Sequence, residues 1–94
     1  MAMIKTWSCQ DTQEFFYTGN SRRFAAVARI AMRRLYILEA ATGLNDLLVP
    51  PGNRLEALKG KRQGQYSVRI NDRWRICFIW QEGHAYEVEI TDYH

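Results

Sequence analysis

One stretch constrains the fold more than any other: residues 65–80, QYSVRINDRWRICFIW. Apolar and polar side chains alternate over 65–70 and again over 74–80, and Asn71 and Asp72 between them favour a tight turn, so the segment predicts a β-hairpin. Register matters because a slip of one residue moves every side chain to the other face. A three-residue connection of Asn71, Asp72 and Arg73 sets Ile70 opposite Trp74, Val68 opposite Ile76 and Tyr66 opposite Phe78, a wholly apolar face. The other face then carries Ser67, Arg69, Arg75 and Cys77, with Arg69 directly across from Arg75. Two like charges in that position cost stability unless something negative answers them. A turn over 81–84 leads to a last strand in which Tyr86, Val88 and Ile90 extend the apolar face and Glu89 falls beside Arg75. Arg69, Arg75 and Glu89 are then either a solvated charge cluster or an anion-binding face.

A chain of 94 residues makes one domain, spanning 1–94, that buries roughly two-thirds of its unfolded surface. A 47% hydrophobic and 13% aromatic composition suits a packed core and argues against disorder. The net charge of +3 hides an uneven distribution, since residues 54–75 hold Arg54, Lys59, Lys61, Arg62, Arg69, Arg73 and Arg75 against only Glu56 and Asp72. Clustered arginine suits phosphate, whose oxygens it pairs bidentately, or an acidic protein partner. Cys9 and Cys77 have no metal-ligand spacing, which points to a reducing cytoplasm. No apolar run approaches membrane-spanning length and no signal-peptide pattern opens the chain, although Met3 is an alternative start to Met1.

Ahead of the hairpin, residues 4–9 read as a short first strand. Asp11 or Thr12 caps a short helix that runs through Tyr17 and ends at Gly19, and Ser21 offers a second cap. From about residue 23 to 41, Phe24, Val27, Ala28, Ala31, Leu35 and Leu38 recur at helical spacing. The polar side of that helix, with Arg22, Arg29, Arg33 and Arg34, is either a solvated face or a surface for RNA or a partner. Gly43 stops the helix, and Pro50, Pro51 and Gly52 make the segment that follows irregular. The order β-α-α-β-β-β predicts an α+β domain: two N-terminal helices packed on one face of a small, mostly antiparallel sheet, the other face open.

No nucleotide-binding glycine loop, metal-spaced cluster or serine elbow is present. What remains is Glu56, Asp92, Tyr93 and His94 as proton-transfer candidates, and Lys59, Arg62, Arg69 and Arg75 as anion holders. Cleaving RNA through its own 2′-hydroxyl needs such parts: a base for the 2′-OH proton, cations for the charge building on phosphorus, and an acid for the leaving 5′-oxygen. Imidazole suits either proton role because it titrates near neutral pH, and the scheme requires no metal or cofactor. Tyr66 and Tyr93 could stack on bases, with a core role favoured for Tyr66. His84 reads as a solvated turn residue and Cys77 as a thiol on the open face.

The run RLEALKGKRQGQYSVRINDRWRICF and the ending ITDYH, with the early IKTW and the RRF that opens the long helix, resemble the HigB branch of the RelE superfamily, the plasmid-maintenance killer proteins. The resemblance covers nearly the whole chain. It implies a RelE-like compact domain acting as the toxin of a type II toxin–antitoxin pair: a cytoplasmic, metal-independent endoribonuclease (mRNA interferase) that cuts mRNA on the ribosome. A HigA-like helix-turn-helix antitoxin would restrain it and alone make specific contact with operator DNA. Asp92, Tyr93 and His94 then match the family's catalytic ending, Arg75 matches the arginine that supports the scissile phosphate, and Lys59 and Arg62 match the basic LKGxR segment, with Lys61 between them. There is one departure. The position just before ALKG, a His in some relatives, is Glu56 here, and a carboxylate, ionised at neutral pH, serves better as base than as acid. The rival reading is a non-catalytic basic module that holds an acidic protein or structured RNA.

Overall fold

The hairpin forms in the register its alternation predicts. In a computed structural model that describes residues 4–49 and 51–92, β2 (Tyr66–Arg69) pairs antiparallel with β3 (Trp74–Gln81), Tyr66 facing Phe78, Ser67 facing Cys77, Val68 facing Ile76 and Arg69 facing Arg75. Asn71 builds the turn: its Oδ1 accepts the N–H of Arg73 at 2.9 Å and of Trp74 at 2.8 Å, the side-chain mimic of a backbone turn that asparagine favours. Tyr93 and His94 lie outside the described residues.

Two further strands, β1 (Glu56–Ala57) and β4 (His84–Asp92), complete a sheet of order β1-β2-β3-β4. Glu82 (φ 50°) and Gly83 (φ 81°) form the two-residue connection into β4 (His84–Asp92), the left-handed pair that suits strand twist. On the opposite edge, β1 (Glu56–Ala57) pairs Glu56 with Ser67 and Ala57 with Tyr66, inside the segment expected to be irregular. Two residues are too few to show any period.

The last strand departs from the expected alternation. Cys77 faces Glu89 but Ile79 faces Tyr86, so Glu87 and Val88 together stand opposite Phe78, and Glu87 takes φ 51°. This bulge turns Tyr86 off the apolar face and puts Ala85 there instead, fully buried with Val88. Residues 4–8 run alongside, where a full first strand was expected. They make only two parallel bridges, Ile4 to Ala85 and Trp7 to Val88, and the Thr6 hydroxyl accepts the Glu87 N–H at 2.7 Å where the bulge frees it.

Helix α1 (Gln10–Thr18) starts at Cys9 rather than at an Asp11 or Thr12 cap, and ends on left-handed Gly19 (φ 76°). Thr12 is spent elsewhere: it is buried, and its hydroxyl accepts the Ile90 N–H at 2.9 Å, tying α1 to β4. Thr12→Val leaves that buried donor unsatisfied, so it is expected to cost about 1–3 kcal/mol in a denaturant titration while activity per folded molecule stays unchanged.

Ser21 Oγ accepts the Phe24 N–H at 3.3 Å, but this bond closes the turn ahead of the long helix rather than capping it, and the helix segments start after Phe24 and Val27 without a side-chain cap. The long helix is broken near its start into a 3₁₀ turn (Ala25–Val27) and α2 (Ala28–Ala40). Its stripe of Phe24, Ala31, Leu35 and Leu38 is fully buried against Ile76, Phe78, Val88 and Ile90 of the sheet. The helix ends before Gly43, which is extended and needs no glycine. Asp46 captures the Thr42 N–H at 2.9 Å and the Thr42 hydroxyl at 3.0 Å, and the backbone bond holds its carboxyl below the usual range. No helix among the described residues is long and apolar enough to cross a membrane.

Candidate nucleic-acid interface

The register places Glu56, Ser67, Arg69, Arg75, Cys77 and Glu89 on the sheet face turned away from the helices. Arg75 lies at its centre. Its Nε donates to Ser67 Oγ at 2.8 Å, and its Nη2 contacts Glu56 Oε1 at 2.7 Å and the Arg54 carbonyl at 3.1 Å. Only 13% of the Arg75 side chain is exposed, against 58% of Glu56. The like-charge pair is therefore answered twice, with Glu56 on Arg75 and Asp72 on Arg69.

Glu89, expected beside Arg75, instead faces Cys77 across the ladder and serves Arg62, whose Nη2 is 3.6 Å from its Oε1. The Ser8 hydroxyl holds the other carboxylate oxygen at 2.8 Å, and Arg62 also donates to Gln65 Oε1 at 3.0 Å. Lys59 and Lys61 stand exposed at the 3₁₀ turn Gly60–Arg62. The Glu56 carboxylate reaches solvent, whereas the Arg62–Glu89 pair is largely covered, its side chains 29% and 24% exposed.

The face is less open than the alternation implied. Ser67 and Cys77 are fully buried, with Arg75 hydrogen-bonded across Ser67. Burial pushes the Cys77 thiol up to about 11, against the smaller pull of Arg62, with Glu89 and Arg75 contributing less. Cys77 is thus a protonated, inaccessible thiol rather than a reactive one. Iodoacetamide at neutral pH should label the half-buried Cys9 and spare Cys77 until the protein is unfolded. Peptide mass mapping reads this, and rapid native alkylation of Cys77 would contradict the burial.

Asp92 does not join Arg75. As the cross-strand partner of Trp74 it belongs to the helix-covered side at the end of β4, where its carboxylate accepts Arg73 Nε–H at 2.8 Å. Tyr66 packs as expected, stacked on Phe78. His84 is half-buried in β4 rather than a solvated turn residue, with Nδ1 enclosed and unbonded among the described residues. On α2, Arg29 and Arg33 project outward, while Arg34 turns in and donates to the Arg69 carbonyl at 3.2 Å. Burial, then Arg33 and Arg69, lower the Arg34 guanidinium from its usual value. Ser67, the Arg54 carbonyl and Ser8 were not singled out from the sequence, although the hairpin pairing alone puts Ser67 on the Arg75 face.

The sequence pattern of RelE-like toxins of the type II toxin–antitoxin system HigB matches residues 8–94. The chain belongs to this family of HigB-like toxins. Among relatives, Toxin HigB-1 of Vibrio cholerae serotype O1 is 39% identical to this toxin over 75 residues, covering 77% of this chain and 79% of that one. A protein named Endoribonuclease HigB from Proteus vulgaris is 37% identical over 65 residues, 65% of each chain. The fold is similar to that of a chain in a YoeB–YefM complex from Staphylococcus aureus, with a TM-score of 0.61 at 21% identity over 99% of both chains. A YoeB dimer from the same organism aligns equally well, with a TM-score of 0.61 at 20% identity.

Proposed function

We propose that this HigB-like toxin cuts mRNA on the translating ribosome by directing the RNA's own 2′-hydroxyl at the adjacent phosphate. Endoribonuclease activity as the toxin of a type II pair follows from family membership and from the named activity of the Proteus vulgaris relative. The observation that carries the further reading is Arg75: a guanidinium fixed by neutral acceptors in the middle of the sheet face, its charge answered by an exchangeable carboxylate. A phosphate that displaces Glu56 receives the planar fork, which stabilises charge building on phosphorus better than a point charge. Arg62, Arg69, Lys59 and Lys61 flank that position and hold the neighbouring backbone phosphates. Tyr93 and His94 supply proton transfer in this reading, with Asp92 engaged by Arg73 on the other side of the strand, and Glu56, once released from Arg75, is a second candidate for the base.

The partner is a HigA-like antitoxin in the cytoplasm. Expression of the toxin without it should arrest growth and translation, and co-expression should restore both. Unchanged growth and polysome profiles while folded protein accumulates would instead favour a non-catalytic basic module. Operator recognition belongs to the antitoxin in this scheme, because α2, which would have to enter a DNA groove, is committed to covering the sheet. The isolated toxin should bind DNA only weakly, with affinity falling steeply as salt rises. A salt-resistant, sequence-specific footprint from the toxin alone would sink that assignment.

A further inference from the structure

Ser67, one of the neutral acceptors on Arg75, is a fully buried hydroxyl whose oxygen accepts Arg75 Nε–H at 2.8 Å. A buried acceptor facing a cation makes a directional bond in low dielectric, and it fixes the torsions of a long side chain that would otherwise sample many rotamers. A second neutral acceptor sits on the same guanidinium, the Arg54 carbonyl, 3.1 Å from Nη2. Arg54 takes φ 45°, a left-handed conformation that a side-chain-bearing residue adopts only where its surroundings hold it, and such positions gather at functional sites. Two neutral contacts thus orient the plane of a charged group without neutralising it. A carboxylate paired with it, Glu56, belongs to a two-residue edge strand and is largely exposed.

We infer that Ser67, with the Arg54 carbonyl, is the positioning residue for Arg75, and that Glu56 Oε1 marks the place an RNA phosphate oxygen takes on the oriented guanidinium. The inference rests on the reading of Arg75 as the phosphate-contacting arginine. Ser67 touches no substrate. Its effect passes wholly through Arg75, by holding the fork in the geometry the transition state needs before RNA arrives. The hairpin explains the choice of residue: Ser67 faces Cys77 and is diagonal to Arg75, and a small hydroxyl there leaves room for the arginine to lie across it.

The test is a double-mutant cycle on ribosome-dependent mRNA cleavage, with rates taken per folded molecule and melting temperatures measured alongside. Ser67→Ala should lower the rate per folded molecule about tenfold, the loss expected for a hydrogen bond to a charged group, and should also lower the melting temperature, because the largely buried Arg75 Nε–H loses its acceptor. Ser67→Thr, which keeps the hydroxyl, should recover most of it. In an Arg75→Lys background, Ser67→Ala should add nothing, because lysine has no Nε–H to position. If Ser67→Ala costs the same factor in both backgrounds, Ser67 acts independently of Arg75 and the positioning role is overturned. That role is equally overturned if Ser67→Ala cuts at the wild-type rate while Arg75→Lys is impaired, which leaves the phosphate role of Arg75 standing. Wild-type cleavage by Arg75→Lys itself would remove that role and the inference with it.

Discussion

Replacing His94 with Ala, or deleting Tyr93 and His94, is expected to slow ribosome-dependent mRNA cleavage by on the order of 10²- to 10⁴-fold, the usual contribution of a proton-transfer group, and to abolish toxicity. The melting temperature should not move. Ile90 is the last buried apolar residue among those described and β4 ends at Asp92, so both changes leave the described core strand whole. Antitoxin binding should survive, since two residues supply little of the roughly 800 Å² per partner that a stable interface buries. Cleavage at near wild-type rate after truncation would mean that the DYH ending is not the catalytic group. Glu56 and the basic cluster would then have to carry the chemistry.

Arg75→Lys is expected to be the next most damaging change. Lysine keeps the positive charge but has neither the bidentate fork nor the Nε–H that Ser67 accepts, so cleavage should fall by roughly 10- to 100-fold. Stability should change little, because lysine keeps the positive charge opposite Glu56. Comparing rate with melting temperature separates the two roles open to this arginine. If it were only a member of a structural ion pair, the substitution would lower the melting temperature and leave activity per folded molecule intact.

The hairpin was legible because three local signals agreed: alternation on both strands, an Asn-Asp turn, and an apolar set that only one register buries. The helical stripe was legible for the same reason, down to the burial of Phe24, Leu35 and Leu38. The Glu87 bulge was not, since alternation continues on both sides of it and no glycine or asparagine marks the left-handed residue; its cause is tertiary, in the hydrogen bonds from residues 6–8. Thr12 looked like a cap because caps are local, whereas its partner is the Ile90 amide, 78 residues away. The candidate site divides in the same way. That Arg69 and Arg75 share a face follows from pairing alone, but which carboxylate answers which cation depends on where a two-residue strand and a 3₁₀ turn settle, and those segments carry no period to read. Glu56 accordingly takes the place beside Arg75 that was expected of Glu89, and Glu89 pairs with Arg62.

If this toxin uses the sheet face around Arg75 to cleave mRNA through the 2′-hydroxyl, the end left on the cut RNA carries the signature of that chemistry. Purified toxin should be added to ribosomes paused on a defined mRNA and the upstream fragment analysed by mass spectrometry. That fragment should end in a 2′,3′-cyclic phosphate, or the 3′-phosphate it hydrolyses to, and should form far more slowly with Arg75→Lys. An upstream fragment ending in a 3′-hydroxyl, or mRNA left intact by folded toxin, would contradict this mechanism.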